Sequence, residues 1–90
     1  MNTESKKKSQ KLPKWFDGDV YKEGGVVRNP FSGEEYELTA IELSLYDFII
    51  GAQIMFEVYN SATDKQIGDF GDALYWFRVN NPKAYYVLLD

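Results

Sequence analysis

The side chains able to do chemistry in this 90-residue chain are Asp, Glu, Lys, Ser, Thr and Tyr, because it contains neither cysteine nor histidine. Without those two, Ser-His-Asp and Cys-His nucleophile systems cannot be built. A histidine pH switch is excluded for the same reason, and zinc loses the ligands it favours. Acid–base catalysis would fall to Asp, Glu, Lys or Tyr brought to a useful pKa by specific burial. Four groupings of such residues have a chemical reading, and each has a plainer one. Gly68-Asp69-Phe70-Gly71 contains the Asp-Phe-Gly triplet of protein kinases. The catalytic loop and glycine-rich loop that give the triplet its meaning are missing, so Phe70 is expected in the core and Asp69 on a solvated face. Glu34, Glu35 and Glu37 form an acidic cluster that could attract a hard cation, which needs several converging oxygens. On a strand Glu35 and Glu37 share a face while Glu34 points away, so a solvated polar face is the better reading.

Gly24-Gly25 lacks the Lys-Ser/Thr ending and the following helix of a phosphate loop. Lys6-Lys7-Lys8 could neutralise nucleic-acid phosphates. Residues 1–14 hold five lysines against Glu4, a net +4, and residues 15–90 hold five basic residues against thirteen acidic ones, a net −8. An acidic body repels a polyanion, so a solubilising tail ranks ahead of a nucleic-acid arm. No cofactor or metal site is expected, and a non-enzymatic protein is expected over a small acid–base enzyme.

The elements that would position these residues follow from pattern. Met1 to Gln10 is polar and lacks apolar periodicity, as a disordered tail would. The expected division is a basic tail over 1–13 and a single domain over 14–90, with residues 1–11 dispensable for folding. Trp15 and Phe16 should anchor the chain on the core. Asp17-Gly18 and Gly24-Gly25 are turn dipeptides. Val26-Val27-Arg28 and Glu35-Tyr36-Glu37-Leu38 read as strands joined by Asn29-Pro30-Phe31-Ser32-Gly33, a turn closed by a left-handed glycine. Asp19 to Lys22 could add a third strand.

Thr39-Ala40-Ile41-Glu42 has the form of a capping box. The helix behind it should run from Ala40 to about Tyr59 and end at Asn60-Ser61-Ala62. Its main apolar stripe is Ile41, Leu45, Phe48, Ala52, Met55 and Tyr59, with Ile49 and Phe56 at the edge. Thr63 or Asp64 should open a second helix to about Val79, turned inward through Ile67, Phe70, Ala73, Leu74 and Phe77. Gly68 and Gly71 weaken that helix unless they allow a neighbour to approach closely. Asn81 then caps a short last helix with Pro82 at its first position, closed onto the core by Tyr85, Leu88 and Leu89. The fold class expected is therefore α+β: a small antiparallel hairpin or three-stranded meander, two long helices and a short C-terminal helix.

Opposite the main stripe of the first helix lie Leu43, Ile50, Ile54 and Val58. A surface helix needs one apolar stripe, and this one has two. Either the helix is central and covered on both sides, or the second stripe meets another chain, and both alternatives stand. A folded part of fewer than 80 residues without disulfide or metal is marginal by itself. Its two Trp, seven Tyr and six Phe offer one supplement through the large area each buries. Self-association offers another. The uncharged apolar run around Phe48 to Phe56 is far short of the roughly 20 residues that span a bilayer, and the start lacks a signal peptide's apolar segment. A cytoplasmic protein without a membrane partner is the expectation.

Lys14-Trp15-Phe16-Asp17-Gly18, Gly24-Gly25 followed by Asn29-Pro30-Phe31-Ser32-Gly33-Glu34, the helix Glu42 to Phe48, and Trp76-Phe77-Arg78 followed by Asn80-Asn81-Pro82-Lys83-Ala84-Tyr85 resemble small proteins of marine viruses, particularly phages of cyanobacteria. The resemblance covers about residues 14–90 and implies a viral origin, with the host cytoplasm as location. Those proteins carry no assigned activity, so it transfers no functional residue. The function expected from the sequence is a protein-interaction module that binds a protein partner or itself, as a homodimer, through Leu43, Ile50, Ile54 and Val58. The alternative from a different class is a nucleic-acid-associated protein using the lysine tail.

Overall fold

Two strands form because Val26 to Arg28 and Glu35 to Leu38 alternate inward and outward side chains, and the turn between them is fixed by its own residues. In the computed structural model, which describes residues 10–89, β1 (Gly25–Arg28) and β2 (Glu35–Leu38) pair antiparallel, with Val27 opposite Tyr36 and Arg28 opposite Glu35. Val27, Tyr36 and Leu38 face the core; Val26, Arg28, Glu35 and Glu37 face out. At the turn, the Asn29 carboxamide oxygen accepts from the Phe31 and Ser32 N–H groups at 2.8 and 3.2 Å. Gly33 takes the left-handed φ of +80° that the sequence anticipates.

No third strand forms from Asp19 to Lys22. The Tyr21 N–H donates to the Ser44 hydroxyl instead of to a sheet neighbour, at 2.9 Å, so this segment crosses the long helix as a strap. Gly24 is required where the strap meets the sheet, because a Cβ there would strike the Leu38 carbonyl. The sheet is thus the two-stranded hairpin, and the fold is α+β.

Helix α1 (Ala40–Tyr59) starts at the expected capping box. Thr39 accepts from the Glu42 N–H, and the Glu42 carboxylate accepts from the Thr39 N–H at 2.8 Å. It ends at Asn60, whose φ of 53° places it in the left-handed region, a conformation Asn tolerates at helix ends. Helix α2 (Asp64–Asn80) opens with a second capping box, Thr63 with Gln66. A single turn, α3 (Pro82–Ala84), is capped by the Asn81 side chain and continues as a π-type turn over Tyr85–Leu89.

The core is Leu38, Leu45, Ile49, Ala73, Phe77, Ala84 and Leu88. Trp15 and Phe16 stack against Phe48 with ring centroids 5.4 and 5.8 Å apart, anchoring the N-terminal segment as expected. The inward line of α1 is rotated from the expected stripe. Glu42, Leu45 and Ile49 are its buried centre, Phe56 meets Phe70 edge-on at 5.4 Å, and Met55 and Tyr59 are exposed. The cause is the partner helix, since α2 packs on the Ile49–Phe56 side. Ile67 is likewise exposed.

The expected boundary at residue 14 shifts as well. Gln10 is buried, Leu12 packs on the core, and the Trp76 indole N–H donates to the Lys11 carbonyl at 3.1 Å. Residues 10–13 therefore pack as part of the domain. The remainder of the expected tail, including Lys6, Lys7 and Lys8, lies outside the described residues. Among the described residues, no helix is long and apolar enough to cross a membrane.

Candidate interaction surface

The first half of α1 is held by a buried polar cluster. One Glu42 oxygen takes the Thr39 N–H. The other accepts from the Gln10 amide at 2.7 Å and the Asn81 amide at 2.8 Å. The Asn81 carboxamide oxygen in turn accepts from the Tyr36 hydroxyl and the Ala84 N–H, both at 3.3 Å. Gln10 also accepts from the Thr39 hydroxyl at 3.0 Å. Among the described residues every buried side-chain nitrogen and oxygen has a partner. Gln10, Glu42 and Asn81 are buried, and among the described residues none of the three borders the open grooves of the surface. The effect of the cluster is to lock hairpin, α1 and α3 to one another, which sets where the rest of α1 emerges.

What emerges is the second apolar stripe, and the fold treats its two halves differently. Leu43 packs against the core and Ile50 is half-buried, whereas Ile54 is 54% and Val58 68% exposed. The hairpin and the chain's last turn cover the first two turns of the stripe and reach no further. Between them and α1 runs an open groove of about 750 Å³, bounded by Arg28 and Phe31 on the hairpin, by Ile50, Ile54 and Glu57 on α1, and by Leu89 at the C-terminal end. The hairpin wall is fastened in place because the Asn29 side chain donates to the Val87 carbonyl at 2.8 Å. Tyr46 also lines the groove, and burial raises its phenol pKa.

Phe31 stands at the rim of this groove and is 97% exposed. The sequence reading placed it in a turn and gave it no role. The available signal was its type. Turn positions favour Asn, Pro, Gly and Ser for conformational reasons, and a large aromatic among them has no such reason to be there. Because its N–H is held by Asn29, the ring is presented on a fixed backbone. Near Ile54 and Val58, Met55, Tyr59 and Ile67 at the α1–α2 corner are exposed too.

The other sequence groupings fall elsewhere. Glu35 and Glu37 share the outer face of the hairpin, as alternation requires. Phe70 packs against the core, and Asp69 accepts an ion pair from Lys65 one turn earlier. That contact raises the Lys65 pKa and leaves Asp69 less solvated than expected. Asp47 and Asp19 lie near Tyr21, whose phenol pKa is raised by burial first and by those carboxylates second.

Comparison with known proteins gives no matching family model, no matching curated protein and no matching solved structure. The surface must be interpreted from its own residues.

Proposed function

We propose that this chain is a non-enzymatic protein-interaction module that docks a protein partner in the cytoplasm through the groove face of α1, with Ile50, Ile54 and Val58 as the contact stripe and Phe31 as an anchor beside it. Leu43, expected in the stripe from sequence, serves the core. The observation that carries this proposal is the second half of α1. Apart from Gln53, Glu57 and Gly51 it is apolar, yet Ile54, Met55, Val58 and Tyr59 are open. Covering the exposed parts of Ile54 and Val58 would contribute about 1–2 kcal/mol each, and an exposed aromatic on a fixed turn is of a residue type enriched at interfaces. The resemblance to small viral proteins agrees with a partner met in an infected cell.

A photo-crosslinking residue placed at position 58 of the full chain, expressed in the cells it comes from, tests this. Discrete adducts are expected, and they should vanish when Ile54→Glu is added while the circular dichroism stays unchanged. Adducts no more abundant than those from the same probe at position 72, an exposed site on α2 that does not line the groove, would refute the docking surface.

A further inference from the structure

Resting on that docking surface, we propose that its occupant is a second copy of this chain, joined by a two-fold axis through the groove. Three features of the groove fit a copy of itself. The first is shape. A protruding ring, Phe31, and a hollow lined by Ile50 and Ile54 occur side by side on the same face. In a two-fold interface the same patch must serve as both surfaces, so each copy's Phe31 meets the other's hollow.

The second is charge. Arg28 stands on the hairpin wall and Glu57 on the α1 wall. Among the described residues neither has an ion-pair partner, the one pair being Lys65 with Asp69. Rotation by half a turn about an axis along the middle of the groove carries the partner's hairpin wall over this chain's α1 wall. Each Arg28 then faces the other copy's Glu57, twice per dimer. The third is continuity. The half-covered Ile50 and the open Ile54 and Val58 lie on one line of α1, so a partner's hairpin and α1 extend the cover that this chain's own hairpin begins.

Sedimentation equilibrium of the full chain at about 100 μM, where a dimer of micromolar affinity is largely assembled, should give the mass of two chains. R28E and E57R should each weaken the dimer by about tenfold or more, since each homodimer then holds two like-charge contacts. Mixing the two variants should restore pairing, because both junctions become opposite in sign. Phe31→Ala should weaken association with an unchanged circular dichroism spectrum. A single-chain mass for the wild type at 100 μM overturns the proposal, and so does a mixture that pairs no better than R28E or E57R alone. A wild-type monomer that still yields adducts to another protein from position 58 overturns the second copy and leaves the docking surface standing; a monomer without adducts refutes both.

Discussion

With both oxygens occupied by donors from three separate segments, the Glu42 carboxylate ties the N-terminal segment, the start of α1 and the approach to α3 into one knot. Its donors are all uncharged: the Thr39 N–H and the amides of Gln10 and Asn81. Removing the acceptor would strand them in the interior, where each unsatisfied group costs about 1–3 kcal/mol. Glu42→Ala should therefore lose about 3 kcal/mol or more, a large share of what a domain this small possesses. Glu42→Gln keeps one acceptor oxygen and should lose less than half as much. Gln10→Ala should cost about 1–3 kcal/mol, the range for leaving buried partners unsatisfied. Urea midpoints at unchanged m-value would measure all three. A neutral Gln10→Ala would show that the N-terminal segment is not part of the fold. Only the local half of this cluster was legible in the sequence. Thr39-x-x-Glu42 announces a capping box by spacing alone, but Gln10 and Asn81 are 32 and 39 residues from Glu42, and no local pattern links residues so far apart.

Elements with strong local signals came out where the sequence placed them: the hairpin with its turn, the Thr39 capping box, and the stop at Asn60. The strap over 19–22 did not, because whether a short apolar-polar run joins a sheet depends on an available edge, and the Ser44 hydroxyl took the Tyr21 N–H instead. The α1 stripe was legible in kind and misplaced in angle. Periodicity tells how many apolar lines a helix has, whereas the neighbour that packs on them chooses which line is central. The groove was half legible for the same reason. Two stripes implied a second contact, but the split between a covered Leu43 and an open Val58 depends on how far the hairpin reaches. In α2 a Cβ at Gly68 or Gly71 would meet nothing within 4 Å among the described residues, so of the two readings the cost in helix propensity is the one that applies. Gly68→Ala and Gly71→Ala should each stabilise by roughly 0.5–1 kcal/mol through helix propensity and a less flexible unfolded chain. For a domain of this size that is a rise of several degrees in Tm, at about 4–8 °C per kcal/mol. A fall in Tm for either variant would mean that the position is crowded in solution.

At the scale of the whole molecule, the charge balance sets the nucleic-acid alternative against the docking surface. Residues 15–90 carry a net −8, and the compensating lysines are concentrated in residues 1–14. The groove face contributes a single cation, Arg28, beside Glu57, which is no track for a phosphate backbone. Binding through the lysines alone would amount to a few phosphate contacts made against the repulsion of the body, and each neutralised phosphate adds close to one unit of salt slope. Affinity for single- or double-stranded nucleic acid should therefore be no tighter than about 10 μM at physiological ionic strength, within the range of non-specific association or weaker. Fluorescence anisotropy over a salt series checks this. Binding well below 10 μM that falls steeply with salt and disappears with Lys6, Lys7 and Lys8 replaced by Ala would put the lysines, and not α1, at the centre of the protein's function. Weak or absent binding, with a two-chain mass that persists as salt rises, is what the proposed dimer requires, because salt would screen its Arg28–Glu57 pairs and leave the burial of Phe31, Ile54 and Val58 intact.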